Sequence, residues 1–295
     1  MMIFKDIKEY VTLLKRIYMY RIYQLPHAPK LAIVQVGENE ASNRYVRNKV
    51  KDCEEVGIVA DVYAFPENTT EFELDDELNH LQEFYDGVIV QLPLPPHIRP
   101  RVATNAILPE KDVDGFRDDS WFTPATPKGM MDYLKYCDFS LEGKIVVVIG
   151  RSNIVGKPMA KLLLEKDATV IVCHSHTSEA DLEYLLKRAD LVVCAVGKPR
   201  FLDCSNIDCP VIDVGINFDD TGKLIGDCYN VEGKDVTPVP GGVGLLTRVA
   251  LLDNVITAAE NKGSSIRPDR RGKRRGGKDY AKEFMDTRSR INSRE

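Results

Sequence analysis

Short apolar runs rich in β-branched residues alternate with helix-length segments twice along this chain. In the first series, apolar runs at 31–36, 59–65 and 87–92 are separated by segments with helical spacing at 43–56 and 71–84. The order strand, helix, strand is the sequence form of parallel βαβ units. The first half of the chain is therefore predicted to form an α/β domain around a parallel sheet.

A second series of the same kind begins after residue 141. Its apolar runs lie at 144–149, 168–172, 191–196 and 211–214, with helical segments at 157–166 and 179–188. The run at 144–149 is apolar without interruption, as expected for a strand in a sheet that is covered on both faces. The short connections between these segments predict a Rossmann-like half.

Three further helices and a basic tail complete the predicted organisation. The helices are predicted at 5–24, at 126–136 as the link between the halves, and at 245–260 as an amphipathic helix that returns to the first domain. We therefore predict two α/β domains with a cleft between them. One is a three-layer domain at 1–138, completed by 245–262, and the other is a Rossmann-like dinucleotide-binding domain at 139–244. The segment at 263–295 is expected to be disordered.

Hydropathy and cysteine usage narrow the class of protein. No apolar run approaches the roughly 20 residues that span a bilayer, and the first residues lack the basic-then-apolar order of a signal peptide. A cytoplasmic location is therefore expected. The seven cysteines are odd in number and include no Cys-x-x-Cys pair, a pattern that argues against a disulfide framework and a zinc knuckle. We expect all seven to be reduced.

Charge is unevenly distributed along the chain. The net charge is −5, yet the tail at 263–295 holds eleven Lys/Arg against five Asp/Glu. A basic tail could grip the phosphates of a nucleic acid. The rest of the chain is acidic, however, and the only aromatic residues among the basic residues of the tail are Tyr280 and Phe284. The pattern does not favour a nucleic-acid partner.

The segment Gly-Arg-Ser-Asn-Ile-Val-Gly-Lys-Pro at 150–158 leaves a predicted strand and opens a predicted helix. A glycine turn before a helix N-terminus is an anion site, because free backbone N–H groups and the helix dipole face the ligand. Ser152 replaces the second glycine of the usual dinucleotide fingerprint, so a purely structural turn is the alternative. Arg151 favours a dinucleotide with a 2′-phosphate, since a guanidinium suits that group.

The end of the next predicted strand reads Cys-His-Ser-His-Thr at 173–177. A ribose-reading Asp or Glu usually stands there when the cofactor is NAD, and its absence favours NADP. Cys173, His174 and His176 could suggest a metal site. Adjacent ligands at a strand end rarely converge on one ion, and no further Cys or His cluster completes a coordination shell. We therefore predict no metal.

Four polar side chains could carry chemistry in the first domain. Tyr45 and Lys49 stand one helical turn apart and follow the first strand, at the edge where open α/β sheets bind ligands. The spacing alone, however, favours the interpretation of Lys49 as a solvated surface lysine. Gln91 ends the third run and could enter the cleft or cap the sheet. Asp114 lies in a turn, but its carboxylate could accept two N–H donors from an aminopyrimidine edge. The glycine-rich segment at 238–244 suits close backbone approach.

Six motifs in register resemble the bifunctional methylenetetrahydrofolate dehydrogenase/methenyltetrahydrofolate cyclohydrolase family. The similarity runs from about Leu31 to Glu260 in order and with the expected spacing. The motifs are Ala-Ser-Asn-Arg-Tyr-Val-Arg-Asn-Lys at 41–49, Val-Gln-Leu-Pro-Leu-Pro at 90–95, Pro-Glu-Lys-Asp-Val-Asp-Gly at 109–115, Thr-Pro-Lys-Gly at 126–129, the segment at 150–158 and Pro-Val-Pro-Gly-Gly-Val-Gly at 238–244.

The resemblance implies an enzyme of one-carbon metabolism that serves purine biosynthesis. It would transfer hydride from 5,10-methylenetetrahydrofolate to NADP and hydrolyse the methenyl product to 10-formyltetrahydrofolate. Lys49 would be the central catalytic residue, Tyr45 would orient the folate, Gln91 would tune the lysine and Asp114 would hold the pterin ring. The residues implied at the NADP site are Gly150, Arg151, Ser152, Ser175 and Ile216. Besides Tyr45 and Asp114, the residues implied to bind the folate are Pro240, Gly241 and Gly244 of the glycine-rich segment.

Two departures and two alternatives accompany this prediction. The family's glycine turn usually continues Gly-Pro-Met-Thr, whereas here it reads Gly-Leu-Leu-Thr at 244–247; we expect tolerance, since no polar group is lost. The tail after Lys262 has no counterpart in the family. A dehydrogenase without the hydrolytic step, or a non-catalytic nucleotide- or nucleic-acid-binding protein, are the alternatives. The family further implies a homodimer.

Overall fold

The computed structural model describes residues 3–262, apart from the side chain of Ala41. The chain forms two compact units. Of the described residues, the three-stranded unit contains Thr12–Thr123 and 251–262, and the four-stranded unit contains 3–11 and Pro124–Ala250. The tail predicted at 263–295 lies outside the described residues.

A parallel sheet of order β2-β1-β3 forms the centre of the three-stranded unit. Its elements are β1 (Lys30–Val36), α2 (Glu40–Val56), β2 (Val59–Phe65), α3 (Glu71–Leu81), β3 (Gly87–Val90) and α4 (Pro100–Ala106). The N-terminal helix α1 (Ile7–Tyr23) precedes them and belongs to this unit from Thr12 onward. Strand β1 is buried from Leu31 to its end, and Leu74, Leu78 and Leu81 of α3 pack against this core. The predicted strand–helix alternation is confirmed, whereas α4 was not predicted.

Helix α2 begins three residues earlier than its apolar pattern indicates. The side chain of Asn39 caps it by accepting a hydrogen bond of 3.0 Å from the backbone N–H of Ser42. At the other end, Gly57 has a φ of 94° and donates to the carbonyl of Cys53, as C-terminal glycines do. The added turn places Tyr45 and Lys49 inside the helix rather than at its start.

The four-stranded unit contains a parallel sheet of order β5-β4-β6-β8. The main elements are α5 (Ala125–Tyr136), β4 (Ile145–Ile149), α6 (Gly156–Leu164), β5 (Thr169–Cys173), α7 (Glu179–Leu186), β6 (Leu191–Cys194) and β8 (Val211–Asp213). Four two-residue strands were not predicted, because two residues carry no periodic signal: β7 (Leu202–Asp203), β9 (Asn217–Phe218), β10 (Leu224–Ile225) and β11 (Cys228–Tyr229). The two parallel sheets confirm the predicted α/β class.

Helix α5 groups with the four-stranded unit, whereas the sequence-based boundary at 138 would place it with the other unit. Met130 and Leu134 of this helix are buried in one cluster with Val146 and Val148 of β4. A Cβ at Gly129 would overlap the backbone of Leu246, so glycine permits this close packing. The buried apolar residues of α5 thus pack within the four-stranded unit, although α5 precedes the boundary predicted at residue 138.

The last helix, α8 (Val243–Glu260), passes from the four-stranded to the three-stranded unit. No residue from Val243 to Glu260 is exposed, so the prediction of an amphipathic helix is wrong. A helix that is covered on all sides must satisfy its polar residues internally. Asn254 does so by donating to the carbonyls of Val113, at 2.8 Å, and Thr123, at 3.1 Å.

Arg21 connects α1 to the last turns of α8 within the three-stranded unit. Its Nε and Nη2 donate to the two carboxylate oxygens of Glu260, each at 2.9 Å. The same guanidinium donates to Asp253 and, at 3.1 Å, to Thr257 Oγ1. Burial lowers the pKa of Arg21, but the two carboxylates more than offset this effect, so the pKa is raised overall. The side chain is a buried cation held by two anions.

All seven cysteines carry free thiols. Burial raises the pKa of Cys53 to about 12, which keeps its thiol protonated and unreactive. Between residues 3 and 262, no helix has the length and apolar character required to cross a membrane.

Candidate active site

Lys49 is buried on the face of α2 that points to the end of β3. Only 5% of the residue is exposed, so its interpretation as a solvated surface lysine is wrong. Its Nζ donates a hydrogen bond of 3.1 Å to Gln91 Oε1. Gln91 directly follows β3, and the helix follows β1. The carboxyl ends of two adjacent parallel strands therefore bring the pair together, as the rule for open α/β sheets predicts.

Gln91 is held in one orientation by its own neighbour. Its Nε2 donates to the carbonyl of Leu92 at 2.7 Å, and the following Leu92–Pro93 peptide bond is cis. With the amide nitrogen used in this way, the amide oxygen faces Lys49. The arrangement presents an acceptor, rather than a donor, to the lysine.

Tyr45 lies beside Lys49 on the same helix. The Nζ atom of Lys49 is 5.2 Å from the centre of the Tyr45 ring, a distance at which a cation and an aromatic face attract each other. Tyr45 is half-buried, so part of its ring remains accessible to a planar ligand. The predicted pairing of these two residues on one helical face is confirmed.

Asp114 contributes a buried carboxyl group to the same cluster. It is 8% exposed. Burial raises its pKa, and the nearby Lys49 charge lowers the pKa by a smaller amount. The turn itself is built by Asp112, whose carboxylate accepts from Gly115 N at 3.1 Å and Arg117 N at 2.9 Å. Asp114 is therefore not needed for the turn.

Asn254 is a site-supporting residue that the sequence did not reveal. It donates to the carbonyl of Val113, directly before Asp114, from 141 residues farther along the chain. An asparagine inside an apolar helix gives no local signal of such a contact. A buried polar residue in a predicted helix is the one sign that could have drawn attention to it.

The turn after β4 depends on glycine at two places of close backbone approach. Gly150 has a φ of 122°, and a Cβ there would overlap the carbonyl of Ala195. A Cβ at Gly156 would overlap the carbonyl of Gly150, so glycine is required at both places. Ser152, in place of a glycine, accepts from Val155 N at 3.1 Å and Gly156 N at 3.3 Å. Its hydroxyl organises the start of α6.

The five residues predicted for the cofactor follow three parallel strands at the same edge of the sheet. Gly150, Arg151 and Ser152 follow β4, Ser175 follows β5 and Ile216 follows β8. Because β5 and β6 lie on opposite sides of β4, the chain reverses its winding there, and ligands bind at such a switch point. Arg151 and Ser175 are exposed, and Ile216 is 53% exposed.

The glycine-rich turn lies in the four-stranded unit, whereas Tyr45, Lys49, Gln91 and Asp114 lie in the three-stranded unit. Pro240 follows a cis peptide bond, Gly241 has a φ of 101°, and Gly244 is the second residue of α8. A Cβ at Gly244 would meet nothing within 4 Å, so the surface there is open.

The histidine turn after β5 is held by local hydrogen bonds. His174 N donates to Thr177 Oγ1 at 2.9 Å, and His176 N donates to His174 Nδ1 at 3.2 Å. Within the described part of the chain, no three His, Cys, Asp or Glu side chains are placed to hold a metal ion.

Two family models match the chain. The model described as tetrahydrofolate dehydrogenase/cyclohydrolase, catalytic domain, matches residues 2–114. The model described as tetrahydrofolate dehydrogenase/cyclohydrolase, NAD(P)-binding domain, matches residues 124–263. Tyr45, Lys49, Gln91 and Asp114 lie in the first matched region, and the turn after β4 lies in the second.

Individual proteins and structures agree with this match. The bifunctional protein FolD of Lysinibacillus sphaericus is 45% identical over 251 residues, which are 79% of this chain and 88% of that protein. The crystal structure of bifunctional FolD from Campylobacter jejuni superposes with a TM-score of 0.83 at 39% identity, covering 87% of this chain and 98% of that one. The Trypanosoma brucei enzyme, in complex with NADP and an inhibitor, has a TM-score of 0.82 at 32% identity, covering 89% and 98%.

Proposed function

Since the chain belongs to the tetrahydrofolate dehydrogenase/cyclohydrolase family, we infer that it oxidises 5,10-methylenetetrahydrofolate with NADP and hydrolyses the methenyl product to 10-formyltetrahydrofolate. The observation that carries this inference is the buried Lys49–Gln91 pair, at 3.1 Å. Lysine is almost never buried unless it is paired, so a buried lysine that donates to a neutral amide at the ligand-binding edge of a sheet favours a role in the site over a role in solubility.

NADP, when bound, supplies the hydride acceptor for the oxidation. We propose that Gly150 and Ser152 shape the backbone around its pyrophosphate, that Arg151 and Ser175 bind its 2′-phosphate, and that Ile216 provides an apolar surface. The overlap that a Cβ would cause at Gly150 and the exposed Arg151 guanidinium support this proposal.

Two side chains of the three-stranded unit would hold the folate. Tyr45 offers a half-buried ring against which a planar group can stack, and Asp114 offers a buried carboxylate. An ionised carboxylate accepts two N–H bonds at once, which matches an aminopyrimidine edge. We propose that Pro240, Gly241 and Gly244 contact the folate through a backbone that lacks bulky side chains. These contacts orient the substrate, and orientation is the main need of a hydride transfer.

For the hydrolytic step, we propose that unprotonated Lys49 accepts a proton from the attacking water. A carbon–oxygen bond then forms at the cationic methenyl carbon. The hydroxyl group of the resulting adduct then loses its proton as the bond from that carbon to the ring nitrogen breaks. The ring nitrogen takes up one proton, the other is released to solvent, and the formyl group remains. Gln91 Oε1, as an acceptor, fixes the direction of the lysine Nζ during this transfer.

The test of this function is an assay of each half-reaction. Methenyltetrahydrofolate is supplied without cofactor, and its absorbance is followed against buffer; acceleration is expected because Lys49 and Gln91 are both present. Absence of acceleration, together with intact oxidation of methylenetetrahydrofolate by NADP, would identify a dehydrogenase without the cyclohydrolase step. Absence of both activities would contradict the proposed function.

Arg151→Ala is expected to weaken NADP binding by about 10–100-fold, because a hydrogen bond to a charged group contributes about 1.5–3 kcal/mol. NAD binding should change little, since NAD lacks the 2′-phosphate. Dissociation constants for both cofactors, measured by fluorescence titration, check the prediction. Arg188→Ala, which removes an exposed guanidinium in the same unit, is the control. An equal loss for NADP and NAD would refute the contact with the 2′-phosphate.

Asp114→Asn is expected to lower kcat/KM for the folate by about 10–100-fold, since the charge-assisted pair is lost. In the unaltered enzyme, KM for the folate should rise as the pH falls, and this rise should begin at a higher pH than for an ordinary aspartate. The reason is that burial raises the pKa of Asp114, so the carboxylate is protonated earlier and no longer accepts two donors.

The control for that experiment is Asp118→Asn, which alters an exposed carboxylate paired with Arg101. It should leave KM and its pH dependence unchanged. If Asp114→Asn retained the same pH profile as the unaltered enzyme, another group would be responsible for it.

We further propose a homodimer and a cytoplasmic location. The homodimer follows from the family resemblance and the location from the composition of the chain. Light scattering coupled to size-exclusion chromatography tests the first, and cell fractionation tests the second.

A further inference from the structure

Two buried aspartates lie beside the carboxyl edge of the four-stranded sheet and take no part in the function proposed above. Asp213 is the last residue of β8, and Asp227 directly precedes β11. They are 3% and 0% exposed. A buried carboxylate is costly unless hydrogen bonds compensate its charge, so the donors around these two groups indicate their purpose.

Asp227 accepts hydrogen bonds from three consecutive backbone amides. Its Oδ2 accepts from Val196 N at 2.7 Å and Gly197 N at 2.9 Å, and its Oδ1 accepts from Lys198 N at 3.0 Å. This segment follows β6 directly. Three successive N–H groups that converge on one anion form a concave backbone arrangement with a fixed shape.

A fourth donor joins a second loop to the same carboxylate. Asn217 Nδ2 donates to Asp227 Oδ1 at 2.9 Å, and Asn217 is the neighbour of Ile216. One side chain therefore fastens the loop after β6 and the loop after β8.

Asp213 in turn fixes Asp227. Its Oδ1 accepts from Asp227 N at 3.0 Å and from Gly215 N at 2.9 Å, and its Oδ2 accepts from Cys228 N at 3.0 Å. A Cβ at Gly215 would overlap Asp227, and a Cβ at Gly226 would overlap Asp213. The two carboxylates are thus enclosed by backbone, with glycine at the two places of closest approach.

The loop that Asp227 holds faces the switch point of the sheet. Strand β6 is the neighbour of β4, and the carbonyl of Ala195 lies against Gly150. The segment at 195–198 is consequently one wall of the crevice in which a dinucleotide binds at such a sheet edge. Its conformation decides which backbone atoms face that crevice.

We propose that Asp227 is a positioning residue for NADP: it holds the backbone at 196–198 and the segment around Ile216 in the shape that the cofactor requires. This inference rests on the proposed function. Asp227 itself is enclosed by its donors and acts through the loops that it fastens. A loop that must order itself at the moment of binding costs affinity, whereas a loop ordered in advance does not.

The test is Asp227→Asn, which keeps the shape of the side chain but replaces one acceptor oxygen with a donor. The dissociation constant for NADP is expected to rise about tenfold, as a loss of about 1.4 kcal/mol corresponds to a factor of ten. Hydrolysis of methenyltetrahydrofolate without cofactor should remain within twofold of the unaltered enzyme, a result that a general loss of folded protein would not give.

Asp203→Asn is the matched control. Asp203 is exposed and also accepts bonds from a backbone amide, Ser205 N at 2.9 Å, and a side-chain amide, Asn230 Nδ2 at 3.1 Å. It should leave NADP binding unchanged. An equal weakening in both variants, or unchanged NADP binding in Asp227→Asn, would overturn the proposal.

If Asp227→Asn does not fold, the variant Asn217→Ala tests the same proposal. Removal of this single donor should speed hydrogen exchange at the amides of 196–198 and weaken NADP binding about threefold. Unchanged exchange and unchanged binding would overturn the proposal. Failure of the underlying function is distinguishable, because the unaltered enzyme would then show neither NADP binding nor NADP-dependent oxidation.

Discussion

Lys49→Met should lower the rate of methenyltetrahydrofolate hydrolysis by about 10²–10⁴-fold, the usual contribution of a positioned acid–base group. Methionine fills a similar volume but cannot exchange a proton. Because Lys49 is buried and its Nζ is fixed by Gln91 at 3.1 Å, no solvent-exposed group can take its place without rearrangement. The loss of methenyl absorbance, recorded without cofactor, measures the effect.

Lys51→Met is the control for this prediction. Lys51 belongs to the same helix but is exposed, so its replacement should change the rate little. NADP binding should be normal in both variants, since the cofactor residues belong to the four-stranded unit. Retention of hydrolysis by Lys49→Met at the level of Lys51→Met would show that the role proposed for Lys49 is wrong.

The second large effect is expected on stability. Arg21→Met should reduce the free energy of unfolding by about 3–5 kcal/mol, the usual cost of removing one partner from a buried ion pair. The guanidinium is 12% exposed, and its partners Asp253 and Glu260 are 19% and 28% exposed. Solvent screening is therefore limited, and both carboxylates would lose the guanidinium that lies between them. Urea unfolding followed by circular dichroism measures the change.

Two further variants separate this explanation from a general packing defect. Arg16→Met alters an exposed position of the same helix and should change stability by less than about 0.5 kcal/mol. Adding Glu260→Gln to Arg21→Met should recover part of the loss, because one of the two negative charges beside the missing guanidinium is removed. If the double variant were less stable than Arg21→Met, charge compensation would not explain the effect.

The order of strands and helices could be predicted because it depends on local sequence. Each main strand of the two sheets lies within two residues of an apolar run. The central strands are buried and leave an uninterrupted apolar signal, whereas the partly exposed edge strand β2 leaves an alternating one. The predicted start of α2 lies three residues after the observed start, because the capping residue Asn39 is polar and precedes the apolar pattern. Capping chemistry rather than periodicity sets that boundary.

The burial of Lys49 could not be predicted from its spacing. Whether a lysine on a helix is exposed depends on what the next strands place beside it, and Gln91 stands 42 residues later in the chain. The burial of Asp227 could not be predicted either, because its four hydrogen-bond donors come from two other loops. Such contacts are set by tertiary structure and leave no periodic trace.

The polar residues of α8 suggested an exposed face, and that expectation failed for a related reason. Asn254 is buried at 3% exposure and satisfies its amide on the carbonyls of Val113 and Thr123. Polar residues in a helix indicate solvent only when no partner is available inside the protein.

Neither unit is continuous along the chain, and this has a consequence for biosynthesis. The three-stranded unit is complete only after residues 251–262 have been synthesised, and Arg21 cannot pair with Asp253 and Glu260 before then. At a synthesis rate of about 5–20 residues per second, the nascent segment that ends at Thr123 spends on the order of ten seconds before its closing helix is even translated. We therefore expect ribosome-bound intermediates in which the apolar surface later covered by Leu251–Glu260 is still exposed to solvent.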